Sequence, residues 1–481
     1  MGQLPPPWVV APYKLPAESK TTPPAGVAPS FGIALAMLAL VTAASAEWKE
    51  KVLYSFQGGP NDGATPAGGV VFDSAGNLYG ATTQGGGSCP IDQCGTVFEL
   101  TPPQAKNGSW TETVLHIFKG NALGDGNTPA GGVILDSAGN LYGTTAYGGN
   151  GNCILLGTKA GCGAVFELSP PKQKGGAWTE TVLYSFQGGN DGYFPNGNLV
   201  FDKTGNLYGA TMFGGGKGTT CNPYYQYCGT VFELSPPKQK GGKWTEKVLH
   251  SFAGVDKGGP PGDGANPNGG LVLDSEGAIY GTTQAGGLSI CATHENQGCG
   301  TTFKLTRPAE KADGWSESIL HRFKATLDGS GPQSGVIIDA NGRLFGTTGG
   351  GGPWSWGTVF CLEPPASKSE AWAQMILYGF NDNNQYGADP VGGLTLHSNG
   401  NLYGTTNAFG AYFGGTVFEL KPKGAEWEIS LLYSFTGPPD AEFPAADLIF
   451  DKSGNLYSTS QAGGNGQSCQ SGCGTVFEVS P

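Results

Sequence analysis

Six aspartates recur at one step of this 481-residue chain. Asp62, Asp125, Asp191, Asp263 and Asp328 each open an Asp-Gly-x-x-Pro segment, and Asp440 opens the variant Asp-Ala-Glu-Phe-Pro; only the copy around Tyr386 to Pro390 lacks that aspartate. Carboxylates repeated around one surface suit the holding of Ca2+ or sugar hydroxyls, and two of them across a channel would suit acid-pair hydrolysis. A structural role competes with both. Asp before Gly closes an Asx-turn, Pro fixes the backbone leading into the next strand, and recurrence in nearly every copy is what a structural role predicts. That role is the favoured reading, with Ca2+ the one cofactor left open.

A second set of candidates breaks the repetition. Tyr224, Tyr225 and Tyr227 lie in Asn222-Pro-Tyr-Tyr-Gln-Tyr-Cys228, Trp354 and Trp356 in Gly352-Pro-Trp-Ser-Trp, and Tyr412 with Phe413 in the next copy. Aromatic platforms suit sugar rings or a protein partner, because each ring joins an apolar body to a polar tip. The competing reading is that they cover local core in copies five and six, which have no cysteine pair.

Ten of the eleven cysteines fall in close pairs, Cys89 with Cys94, Cys153 with Cys162, Cys221 with Cys228, Cys291 with Cys299, and Cys469 with Cys473. Zinc sites favour shorter spacers with a second pair or histidines nearby, so local disulfides are the expectation, stiffening long loops. Cys361 stands where five of the other six copies carry Glu, and reads as an unpaired structural thiol. Of the five histidines, His116, His250 and His321 replace a strand Tyr and His397 replaces a turn Asp, leaving His294 as the one expected on the loop face. No spacing of histidines and acids resembles a metal site or a nucleophile with its base, and no glycine-rich loop has the Gly-Lys-Ser/Thr of a phosphate loop. The signal for an enzyme is therefore weak.

The elements that must position these residues come from one repeat. Trp48, Trp110, Trp178, Trp244, Trp315, Trp372 and Trp427 mark seven equivalent points, and four strand-like segments recur between them. The first is Gly-Gly-Val-Val-Phe-Asp at Gly68 to Asp73. The second, Asn77 to Thr82, follows through a turn so short, with Gly76, Gly139, Gly205, Gly277, Gly342, Gly400 and Gly454, that the two form a hairpin. The third is Gly95 to Leu100 and the fourth resembles Trp178 to Phe186. Four antiparallel strands seven times over predict an all-β, seven-bladed β-propeller, each blade covering its neighbour's apolar faces. A fourth-type strand, Trp48 to Phe56, precedes the first blade, while the last repeat stops after its third strand. Pairing the two would close the ring and remove both free edges. In such a ring the second-to-third and fourth-to-first loops share one face, and both the cysteine pairs and the Asp-Gly-x-x-Pro segments fall there.

Residues 1–46 differ in composition, with an apolar run from Phe31 to Val41 ending in Ala44-Ser45-Ala46; this reads as a signal peptide, leaving 47–481 as one propeller. The run is too short to span a membrane, so no membrane insertion is expected after cleavage. A formal net charge of −12 excludes the basic surface that nucleic acid needs. The units Asn-Leu-Tyr-Gly-Thr-Thr, Gly-Thr-Val-Phe-Glu-Leu and Leu-Tyr-Ser-Phe, set between glycine-rich loops, resemble the GloVer tandem repeats of bacterial exported choice-of-anchor proteins over residues 48 to 481. The resemblance implies export and a repeat β fold, and no settled activity. The sequence-based expectation is a secreted or periplasmic monomer that binds glycan or an extracellular protein through its long-loop face. A carbohydrate-active hydrolase or lyase and a structural envelope component are the alternatives.

Overall fold

In the fourth segment of each repeat, exposed and half-buried side chains alternate, as in Thr179–Ser185, which makes it a strand with one covered face. The second segment is buried along its length, as in Leu78–Thr82 and Leu141–Thr145, because it lies between two strands of its own sheet and under the next one. The computed structural model describes residues 47–87, 94–105, 108–120, 124–155, 157–173, 175–216, 228–239, 241–255, 262–288, 291, 298–308, 314–367, 370–381 and 385–481. Seven sheets of four antiparallel strands stand in a ring, a seven-bladed β-propeller.

Blade 1 runs outward as Val71–Phe72, Leu78–Thr82, Thr96–Thr101 and Thr111–Ile117. Blades 2 to 6 repeat this order; their outer strands are Thr179–Ser185, Thr245–Ser251, Ser316–Arg322, Ala373–Gly379 and Glu426–Ser434. Blade 7 takes its outer strand from the other end of the chain: Lys49–Ser55 pairs antiparallel with Thr475–Ser480, Lys49 opposite Ser480 and Ser55 opposite Thr475. The expected closure is what the chain does. Except in blade 3, where it extends over Tyr193–Phe201, the inner strand is shorter than its apolar run. Val71–Phe72 pairs with Leu78–Thr82, but the preceding glycines face the next blade, where a Cβ on Gly68 would lie 2.2 Å from the Gly132 nitrogen.

The core sits between blades. The phenylalanine closing each outer strand meets, edge to face, the third-strand phenylalanine of the following blade. Phe118 meets Phe166 at 5.1 Å, Phe252 meets Phe303 at 5.1 Å, and across the closure Phe56 meets Phe98 at 5.0 Å and Phe435 meets Phe477 at 4.9 Å. Each such pair adds about 0.5–1.5 kcal/mol to the burial of two rings. A second ring of contacts lies on the long-loop face. The residue before each proline donates its N–H to the preceding blade, Thr65 to Cys473 O at 2.8 Å, Phe194 to Cys162 O at 3.0 Å and Asn266 to Cys228 O at 2.8 Å. The proline then packs on the glycine that starts the third strand: Gly474 has φ +93°, and a Cβ there would be 2.5 Å from Pro66 Cδ. Only glycine accepts both that backbone and that contact.

Candidate functional site

The six aspartates lie between the outer strands of neighbouring blades, each turned back on the strand that precedes it. Asp62 accepts the Gln57 N–H at 2.7 Å, the Tyr54 hydroxyl at 3.1 Å and the Gly63 N–H at 2.6 Å. Asp440 does the same with Thr436 N–H at 2.8 Å, Tyr433 at 3.0 Å and Ala441 N–H at 2.7 Å, and Asp191 with Gln187 N–H at 2.6 Å and Tyr184 at 2.9 Å. In three seams an imidazole takes the phenol's place: His116 Nε2 lies 3.3 Å from Asp125, His250 Nε2 3.2 Å from Asp263, and His321 Nε2 3.1 Å from Asp328. The carboxylate thus ties the end of the outer strand to the loop beyond it. Each aspartate is partnered at its own seam.

Opposite each aspartate the following blade presents the third residue of its Trp-x-Glu segment. Glu112 faces Asp62, Glu180 faces Asp125, Glu246 faces Asp191, Glu317 faces Asp263, and Glu50 faces Asp440. In all five the Oε1 atom is buried without a hydrogen-bond partner. Burial first, and then the charge of the aspartate, push Glu112 and Glu246 up to about 7 and Glu50 up to about 9. In the fifth seam Gln374 replaces the acid and donates to Asp328 O at 3.0 Å. The sequence offered no spacing of histidine and acids that resembles a metal site; in the structure His250, Asp263 and Glu317 bring their ligand atoms within 4.8 Å of one another. Sequence spacing hid it, since the strand Tyr or His reaches the loop and the Glu arrives from the next blade. The available signal was the recurrence of Trp-x-Glu in five of seven copies.

The aromatic candidates of blades 5 and 6 stand in the open. Trp354 is 61 %, Tyr412 62 % and Phe413 59 % exposed, with Trp356 at 38 %, and Leu327 beside Asp328 is 69 % exposed. Trp356 meets Phe409 edge-on at 4.8 Å, and Phe409 lies 6.0 Å from Phe413, so the rings of the two blades form one patch. Ser355, Phe409 and Phe413 have φ of 68°, 62° and 65°, a left-handed backbone that non-glycine residues adopt only when their surroundings impose it. The backbone that carries these rings is thus strained at three points. Tyr224, Tyr225 and Tyr227 lie outside the described residues, as do His294, Cys89 and Cys221.

Cys153–Cys162, Cys291–Cys299 and Cys469–Cys473 are disulfides as expected, and Cys94 and Cys228 are disulfide-bonded. Cys361 is free and buried, its thiol pushed up to about 12 by burial. It sits opposite Phe345, where blade 6 pairs Tyr403 with Glu419 through a hydrogen bond of 2.5 Å; hydroxyl and carboxylate are lost together in blade 5. An open groove of about 500 Å³, lined by Asp136, Tyr142, Asp202 and Trp244 among others, lies between blades 2 and 3 on the opposite face, at the short hairpins.

The profile of the Gloeobacter/Verrucomicrobia repeat matches residues 40–289 and again 288–481, which together take in every blade. The chain belongs to the Gloeobacter/Verrucomicrobia repeat family. The GloVer resemblance read from the sequence is thereby borne out. This Gloeobacter/Verrucomicrobia repeat chain matches no curated protein. Among solved structures it is similar to a candidate 6-phosphogluconolactonase from Bacteroides uniformis, at 12 % identity and a TM-score of 0.44 over 75 % of this chain and 84 % of that one. It is also similar to a glucose dehydrogenase, at 14 % identity and a TM-score of 0.40 over 90 % of this chain and 99 % of that one. At such values neither likeness carries an argument about what a Gloeobacter/Verrucomicrobia repeat protein does.

Proposed function

We propose that the chain is an exported recognition or scaffold propeller that binds a glycan or a protein partner through its long-loop face, at the aromatic patch of blades 5 and 6. One observation carries the reading: Trp354, Tyr412 and Phe413 are each about 60 % exposed on repeat-breaking loops, whereas repeat tryptophans such as Trp178, Trp244, Trp315 and Trp372 pack at blade seams. Large aromatic rings left in water on a rigid support are what a binding surface supplies. Local disulfides in the loops of other blades support export, since such bonds persist in oxidising compartments. The seam carboxylates are buried side by side rather than set across an open cleft, which lends the hydrolase or lyase alternative no support.

The test is a glycan array and a pull-down of extracellular proteins with purified protein, each with and without Ca2+, the latter arm reading whether the aspartate loops take that ion. Trp354→Ala with Trp356→Ala should weaken any hit by roughly thirtyfold or more, the loss of about 2 kcal/mol expected of an aromatic anchor. Unchanged binding together with a large fall in melting temperature would reassign the rings to loop packing.

A further inference from the structure

We propose that His250, Asp263 and Glu317 form a binding site for one first-row divalent cation of the Zn2+ kind, in the seam between blades 3 and 4. His250 Nε2 lies 3.2 Å from Asp263 Oδ2 and 3.5 Å from Glu317 Oε1, and the three ligand atoms are all within 4.8 Å of one another. Bonds of about 2.0–2.2 Å to a common ion place neighbouring ligand atoms roughly 3.0–3.6 Å apart, which the two spacings from His250 already match, while Asp263 and Glu317 lie within 4.8 Å of each other. The donor types choose the metal. Ca2+ and Mg2+ take oxygen, whereas an imidazole nitrogen with two carboxylates suits Zn2+ and its neighbours.

Three further features point to a missing ligand rather than to a finished ion pair. Glu317 Oε1 is buried with no hydrogen-bond partner, and a single imidazole N–H directed at Asp263 leaves it without a donor. Asp263 Oδ1 accepts the Ala253 N–H at 2.7 Å, which aims Oδ2 at the imidazole, while the His250 ring is held edge-on against Phe252 at 4.7 Å. Arg322, the near cation, donates its Nε to Gly262 O at 3.0 Å rather than to Glu317. The side chains of the three ligands remain 15–21 % exposed, enough for an ion and a water to enter.

The other seams of the same chain supply the comparison. Tyr54, Asp62, Glu112 and Tyr184, Asp191, Glu246 lack the nitrogen; His321, Asp328, Gln374 lack the second carboxylate. His116, Asp125 and Glu180 repeat the residue types, but among the described residues only the His250 set brings all three ligand atoms together.

The experiment uses the full chain, stripped with chelator and titrated with Co2+ followed by visible absorption, and with Zn2+ by calorimetry. Two variants place residues that the fold already carries at the same position elsewhere: His250→Tyr, as at Tyr54 and Tyr184, and Glu317→Gln, as at Gln374. Wild type should bind one more ion per chain than His250→Tyr, with the intense visible bands of a four- or five-coordinate Co2+ that Zn2+ displaces. Both variants should weaken that site by about a hundredfold or more, given that even supporting residues of metal sites account for about 10–100-fold. His116→Tyr should leave it unchanged. Wild type that takes up neither ion, or a His250→Tyr protein that binds as wild type does, would overturn the proposal.

Discussion

Glu317→Gln in chelator isolates the cost of burying an acid beside an acid. Burial pushes Glu317 up from 4.5 to about 7, with the His250 ring lowering it and Asp263 raising it. At about 1.4 kcal/mol per pH unit, the difference between folded and unfolded chain is worth about 3 kcal/mol. The folded state holds the proton more tightly, so this contribution is complete below the unfolded value of 4.5, fades as pH rises, and is gone above about 7. Glutamine has no proton to lose. The variant should therefore gain on wild type as pH climbs from 5 to 8, ending about 2–3 kcal/mol ahead. A domain of this size unfolds with an entropy of roughly 0.9 kcal/mol/K, so the gain should read as about 3 °C in scanning calorimetry at pH 8 and near zero at pH 5. A variant less stable than wild type at pH 8 would refute the reasoning, showing Glu317 to be a carboxylate stabilised by His250 or Arg322.

Three more outcomes follow from the packing. Deleting 47–56 removes the outer strand of blade 7 and Phe56 from the Phe98 contact; the protein should unfold or associate on size-exclusion chromatography, and a monomer with unchanged melting would rule out the closure. Gly474→Ala should cost about 2–4 kcal/mol in urea denaturation, combining a left-handed backbone with the clash on Pro66, whereas Gly76→Ala, with φ +90° and nothing within 4 Å, should cost only about 1 kcal/mol. Cys361→Glu alone should destabilise blade 5 by leaving a buried carboxyl opposite Phe345, and adding Phe345→Tyr should recover about 0.5–3 kcal/mol of coupling in a double-mutant cycle.

The ring was legible because its grammar is repetitive: seven tryptophans, seven hairpin glycines and an unmatched strand at each end admit few other arrangements. The inner strands were over-read, since apolar runs such as Gly68 to Asp73 mark a strand without showing that its glycines are spent on the neighbouring blade. Asp62 and its counterparts read from the sequence as closing a turn ahead of them, whereas in the structure their carboxylates also reach back to Tyr54 or His116. The seam triads were not legible. His250 and Glu317 stand in different blades, and nothing local in either strand says that a twist brings them to one aspartate. Cys361 is the reverse case: its explanation, the paired loss of a tyrosine hydroxyl at Phe345, was present in the repeat all along.

Closing the ring with Lys49–Ser55 also sets a schedule. That strand is synthesised about 425 residues ahead of its partner Thr475–Ser480, so at about 5–20 residues per second it waits roughly 20–85 s without a sheet to join. An unpaired, β-prone segment is a nucleus for association during such a delay. Blades 1 and 2 begin their outer strands Thr-Glu-Thr, whereas the waiting strand begins Lys49-Glu50-Lys51 with both lysines exposed. Like charges on its open side make it a poor template for a second chain, and they cost nothing in the finished ring, where the same side chains face solvent. Lys49–Ser55 is thereby guarded until its partner arrives.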